Sequence, residues 1–467
     1  MPLILAVALF MENMDSTVIA TALPAIAVDL GTSPIALKLA LTAYLVSLAV
    51  FIPVSGWVAD RYGAKPVFRA AIGVFVLGSL LCAASGSLAS LVGARILQGA
   101  GGAMMTPVAR LVLVRGTPKR ELVSAMAWLT IPALIGPLAG PPLGGFIATY
   151  FGWRWIFLIN VPIGILGIAL AGRFLPDIPG APRGPIDWRG FALSGAAASG
   201  IVFGLSVVSL PALPPLAGAA ALGLGVTALL LYTRHARAHP QPLLDLTLFR
   251  NPTFRLAVAS GTLFRIGAGA MPFLLPLLFQ IGFGLTPFES GLLTFATAGG
   301  ALCMKFAAPR LLSDFGFRTV LACAALLGAV LVAANALLTP QVPAAAILTL
   351  LFFAGFTRSL FFTSINALTF ADIEEREASQ ATALSAAFQQ VSIALGVAVA
   401  GSVLEFSTFL GAEGHLGPQA FVAAFLVAAA FSAAALLPIV RLPPTAGSAV
   451  SGHLAADEDA APSSAKP

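Results

Sequence analysis

Charge is what this sequence has least of. Asp, Glu, Lys and Arg make up 9% of its 467 residues, where a soluble domain carries about 25%, and that excludes an ordinary water-soluble protein. Cysteine is scarce as well: Cys82, Cys303 and Cys323 fall in apolar segments without paired spacing, so neither a disulfide framework nor a metal site is implied. The histidines, His235, His239, His415 and His453, read as loop or tail residues. Carboxylates are then the side chains left to carry protons inside an apolar environment. No Gly-Lys-Ser or Gly-Lys-Thr triplet occurs, which removes the P-loop and, with it, ATP-driven pumping by this chain. A zinc signature and a nucleophile elbow are also missing, and an intramembrane enzyme is left as a remote reading. No cofactor is expected.

What is abundant is apolar sequence. Hydrophobic residues make up 58% of the chain and the mean hydropathy is +0.96, the signature of a polytopic, all-α membrane protein. A span needs about 20 apolar residues, and charged or Pro/Gly-rich breaks divide the chain into fourteen such runs. The first lacks the basic start and small-residue cleavage site of a signal peptide, so it reads as a retained helix. The tail, residues 442–467, is rich in Pro, Ala, Ser and Asp and reads as disordered. Eighteen of the 25 basic residues fall on one side of this topology, and two, Lys38 and Arg154, on the other. By the positive-inside rule both termini are cytoplasmic in the cell inner membrane. That asymmetry accounts for the net charge of +6 without nucleic acid.

Two acids interrupt the first span, in the run MENMDSTVIATALPAI. Asp15 near a bilayer centre costs roughly 3 kcal/mol on translocon scales, and Glu12, three positions earlier, shares its helical face. One reading is a neutral acid bonding two helices. The other is a proton-carrying site facing a wet cavity. Between spans two and three stands GWVADRYGAKPVF, with Gly56, Asp60, Arg61, Gly63 and Lys65, and a weaker echo, SDFGFR (Ser313 to Arg318), follows the tenth span. Gly56 is read as permitting close helix approach, and Asp60 with Arg61 and Lys65 as contacting a neighbouring helix end. The repetition points to an internal structural repeat.

With these motifs the chain resembles the major facilitator superfamily, in particular its fourteen-span drug:proton antiporters and, among those, the MdtD-like exporters. MDSTVIATALP resembles the first-span signature of that branch, and GWVADRYGAKP the superfamily loop motif. RILQGAGGAM, from Arg95, is similar to the fourth-span motif whose arginine is implicated in proton coupling. IPALIGPLAGPPLGGFI, with Gly136, Pro137, Gly140, Pro141, Gly144 and Gly145, is similar to the fifth-span antiporter motif, and WRWIFLINVPIG (Trp153 to Gly164) continues the likeness. The resemblance implies two six-helix bundles, residues 1–175 and 253–441, with a linker of two additional spans at 176–252. It also implies proton coupling through Asp15, Glu12 and Arg95. The loop and fifth-span residues would serve conformational switching, the prolines either as a moving bend or as a static kink. A monomer working on protons and a small molecule in the lipid bilayer is expected.

The remaining intramembrane cations bear on the substrate. Arg110, Arg265, Lys305 and Arg358 outnumber the mid-span acids, and the balance biases a central cavity toward anions. Snorkelling suits Arg110 and Lys305, near an interface. It suits Arg265 poorly, ten residues and about 15 Å into its helix. Guanidinium forks bind carboxylates in pairs, so a di- or tricarboxylate such as citrate, held between Arg265 and Arg358 with Arg110 assisting, is the sharper expectation. Efflux of amphipathic or cationic drugs is the alternative. Gln280, Asn366, Gln389 and Gln390 are candidate hydrogen-bonding partners for either, or packing residues.

Overall fold

The computed structural model describes residues 2–117, 122–177, 180, 185–207, 215–374, 377–410 and 418–451. Among them every regular element is helical. Twelve helical segments are long and apolar enough to cross a bilayer. One of them, Pro287–Leu337, turns at Gly316, where φ of 68° and ψ of 167° part it into two rods. The 29-residue Leu122–Tyr150 helix is a further rod, which brings the order to fourteen, as hydropathy expects. They are α1 (Pro2–Asp29), α2 (Lys38–Tyr62), α3 (Ala64–Ala83), α4 (Leu88–Gly116), α5 (Leu122–Tyr150), α6 (Trp155–Phe174), α7 (Trp188–Val207), α8 (Pro215–Ala238), α9 (Pro252–Gly282), α10 (287–315), α11 (317–334), α12 (Ala344–Phe370), α13 (Ala378–Leu410) and α14 (Ala420–Ile439).

Local chemistry sets where these helices begin. Ser87 and Ser90 form a reciprocal cap at the start of α4, and Thr286 with Glu289 does the same for α10, where Pro287 takes the first turn. Asn251 caps α9 ahead of Pro252. The repeat suggested by the two loop motifs has a backbone counterpart. Gly63, between α2 and α3, and Gly316, between α10 and α11, both adopt positive φ, 89° and 68°, a conformation that glycine reaches without strain.

Contacts between the two sets of helices are uneven along their length. At the end away from the termini, Ile26, Leu37 and Leu41 share one apolar cluster with Met271, Phe273, Leu404 and Phe425. Toward the terminal end the clusters separate. Leu5, Phe68, Phe75 and Val112 belong to one, while Phe264, Phe317, Phe361 and Ile439 belong to another. Hence, among the described residues, one apolar cluster joins the halves at one end, while at the other the clusters stay within each half. The inserted helices pack through glycine: a side chain at Gly200 or Gly204 on α7 would overlap the α8 backbone. In turn α7 leans on both halves, with Phe191 tilted against Phe51 of α2 at 5.7 Å and the Ser402 hydroxyl of α13 donating to the Leu205 carbonyl at 2.9 Å.

Two expectations change here. Residues 442–451, read as the start of a disordered tail, pack down: Leu442 and Ala446 are buried in the second-half cluster, and Gly447 lies against Phe317. A few apolar side chains after the last span suffice for this. Residues 452–467, His415 and His453, and the basic residues Lys119, Arg120, Arg183, Arg376 and Lys466 lie outside the described residues. His235 is also not a loop residue, because α8 continues through Ala238.

Candidate functional site

Glu12 and Asp15 share a face of α1 but not an environment. Asp15 is fully buried, which corrects the expectation that it faces a wet cavity. Its Oδ2 accepts from Arg95 Nη1 of α4 at 2.6 Å, and its Oδ1 accepts from Gln98 Nε2 and Asn160 Nδ2, both at 2.8 Å. Three N–H donors, one guanidinium and two amides, converge on it. A buried ion pair is tolerated only when its remaining lone pairs are bonded in this way. These bonds join α1 to α4 and α6. Arg95 is held from its other side by the Tyr44 ring, 4.1 Å from the guanidinium carbon.

Gln98 links the cluster to α3. Its amide donates to the Ser79 hydroxyl at 2.8 Å, and its oxygen accepts from Arg95 at 2.6 Å. Such closeness depends on Gly78, where a side chain would overlap the Gln98 backbone. Glu12, in contrast, is half-buried and accepts from the Thr106 hydroxyl at 2.7 Å. Asn160, Ser79 and Tyr44 escaped the sequence reading. A lone Asn inside the apolar run WRWIFLINVPIG was the available signal for the first. Hydroxyl groups in membrane helices are too common to mark the other two.

The fifth-span motif forms a seam. Side chains at Gly136, Gly140 and Gly144 would strike α1, and one at Gly145 would strike Pro287 of α10. The helix runs unbroken past Pro137 and Pro141. In the loop motif, Asp60 accepts from Arg115 at the end of α4 at 2.9 Å, and Lys65 pairs with Asp177 at 3.1 Å. Arg61 is exposed. Gly56 departs from its expectation, because among the described residues nothing lies within 4 Å of a side chain placed there.

The second half carries the cations. Arg265 is buried in α9, donates to the Asn366 side-chain oxygen at 3.0 Å and lies over the Phe362 ring at 5.2 Å. Arg358, Phe362 and Asn366 recur at four-residue intervals and therefore share a face of α12. Among the described residues no carboxylate pairs with Arg265 or Arg358. Arg110 and Lys305 are exposed, as snorkelling residues are; Lys305 reaches the Thr363 hydroxyl at 3.4 Å. Gln280 donates to the Thr21 carbonyl at 2.8 Å, joining α9 to α1, and Gln389 donates to Ser385 one turn back in α13. Packing therefore occupies both glutamines in this conformation.

Two clusters were not foreseen. Lys38 and Glu405, placed near one membrane face by sequence, form a buried 2.6 Å ion pair between α2 and α13. At the other end, Asp187 accepts from the Gly190 and Leu243 backbones and meets His235 Nε2 at 2.8 Å, with His239 close by. Burial works to raise the Asp187 pKa, but those three partners outweigh it and the carboxyl sits below its ordinary value.

Buried charge between membrane helices, on two sets of six rods closed at one end, defines a secondary transporter. The chain belongs to the major facilitator superfamily: the model of that family matches residues 5–397 and 257–462. It is 37% identical over 437 residues to "Probable transport protein HsrA" of Haemophilus influenzae, covering 94% of each chain. It is 38% identical over 443 residues to "Putative multidrug resistance protein MdtD" of Pectobacterium atrosepticum, covering 94% of this chain and 95% of the relative. Among solved structures, the fold is similar to that of a D-xylose-proton symporter, with a TM-score of 0.67, 16% identity and coverage of 96% and 98%. These likenesses identify a multi-pass membrane transporter and point away from an enzyme.

Proposed function

We propose that the protein is a proton-coupled antiporter that exports a small organic anion, a di- or tricarboxylate such as citrate. The observation that carries this reading is Arg265, a buried guanidinium bonded to neutral Asn366 and aligned with the Arg358 face of α12. A carboxylate substrate supplies the partner such a site lacks. In this proposal residues 1–175 and 253–441 are the two bundles that rock, and 176–252 links them. Both termini lie on the cytoplasmic side of the inner membrane, so this conformer opens inward and Lys38 with Glu405 seals its outer end.

Glu12 exchanges protons with the cavity, and Asp15 with Arg95 responds to its charge. Protonation of Glu12 removes a negative charge one helical turn from Asp15 and alters the balance between conformers. Arg110, Lys305, Asn366, Gln280 and Gln389 contribute to binding once the bundles move, while Gly56, Asp60, Arg61, Gly63, Lys65 and the fifth-span residues serve the switch.

Drug efflux is the second reading. It is favoured by Glu12, a half-buried acid able to attract a cation, and by the multidrug resistance name of one relative. Proteoliposomes separate the two. Under an imposed pH gradient, carboxylate counterflow without lipophilic-cation counterflow supports anion export, and the reverse result replaces it with the drug reading.

A further inference from the structure

The region where α8, the short turn Leu246–Arg250 and α9 meet holds a recess of about 540 Å³, lined by none of the residues proposed for coupling, substrate or switching. Arg237 comes from the last turn of α8, Arg250 from the turn and Arg255 from the first turn of α9, and all three line the recess. Thr233 and Thr247 also line it, the Thr233 hydroxyl donating to the Leu230 carbonyl at 2.8 Å, and Phe249 and Leu246 form an apolar wall. The nearby acid, Asp245, is engaged: it accepts from the Thr247 hydroxyl at 2.7 Å and from its N–H at 2.8 Å. Three guanidinium groups around one volume provide forked donors for phosphate oxygens.

We propose that this recess binds the headgroup of an anionic phospholipid. Its position favours a lipid over a free anion. Both α8 and α9 cross the membrane, so their ends and the recess lie at the interface. An exposed apolar stripe, Val226 and Leu230, leads along α8 to Thr233 and Arg237 at helical spacing, and it gives the acyl chains a track to the site. The basic residues sit on the face where the loop motifs lie, the one that meets the anionic leaflet under the positive-inside rule. A bound lipid would tie the inserted pair to α9, the first helix of the second half.

The test is lipid binding to the full-length protein in detergent, read by native mass spectrometry with phosphatidylglycerol or phosphatidylcholine. Each basic residue near such a surface is worth about a fivefold gain in affinity, so the triple variant R237Q/R250Q/R255Q should lose phosphatidylglycerol binding by about a hundredfold. A charge-matched variant at exposed arginines elsewhere on that face, R69Q/R173Q/R310Q, should bind as wild type does, and phosphatidylcholine should bind weakly to all. If the triple variant does not fold, Arg250→Gln alone should lose about fivefold. The proposal is overturned if the recess variants keep wild-type affinity, if the control variant loses as much, or if inorganic phosphate displaces the lipid as well as soluble glycerophosphoglycerol does.

Discussion

Lys38 and Glu405, 367 positions apart, pair at 2.6 Å at the closed end of the molecule, with side chains 0% and 7% exposed. A side chain at Gly401 would strike the Lys38 stem, so the lysine lies flat against α13. Removing one partner of a buried pair costs about 3 to 5 kcal/mol. Glu405→Gln should therefore open this end, and a Cys introduced by Ala36→Cys, with Cys303 and Cys323 replaced by Ser, should label faster from that side. Unchanged labelling would mean that the apolar cluster alone holds the closure.

The two acids of α1 should separate in their effects. Asp15→Asn removes the anion from a network built around Arg95, and we expect lost transport together with a lower melting temperature, from a penalty of about 3 to 5 kcal/mol. Glu12→Gln keeps the Thr106 hydrogen bond and should fold normally while losing transport driven by a pH gradient. Inverted vesicles and thermal melts measure both. Gradient-driven transport surviving in Glu12→Gln would remove Glu12 from the coupling path.

Asp60 with Arg115 joins the loop motif to α4, with the carboxylate buried and the guanidinium 39% exposed. The pair is partly screened, so Asp60→Asn should cost only about 1 kcal/mol of stability. That amount still shifts a two-state equilibrium about fivefold. Side-specific cysteine accessibility should show the shift with substrate affinity retained.

Acid should loosen the Asp187 end of α7. A carboxyl whose folded pKa is depressed stabilises the fold above its unfolded value of about 3.9 and loses that contribution as pH falls through the folded value. Melting temperature should thus fall more steeply in wild type than in Asp187→Asn below about pH 4. Parallel curves would show that the carboxylate adds nothing to stability.

Much of this architecture was legible in the sequence. Apolar run lengths gave the fourteen rods, and the resemblance of the fourth-span motif marked Arg95 as a coupling candidate without naming Asp15 as its partner. The pairing of Lys38 with Glu405 was not legible, because two charges at span ends carry no mark of which helices will meet. Gly56 misled for a related reason: glycine permits a close approach but does not say whether a neighbour takes it. Asp15 was expected at a cavity wall, since its cost in lipid was weighed without the Asn160 and Gln98 donors that offset it.

The central claim is the sign of the substrate's charge, and Arg265 tests it most directly. A binding series in proteoliposomes would compare wild type, Arg265→Ala and Arg265→Lys against citrate and one lipophilic cation. Arg265→Ala should weaken citrate binding by about 2 to 5 kcal/mol, Arg265→Lys should restore part of it because a point charge lacks the bidentate fork, and the cation should bind as well or better once the positive charge is gone. Wild type that never binds citrate, with cation transport lost in Arg265→Ala, would contradict the account.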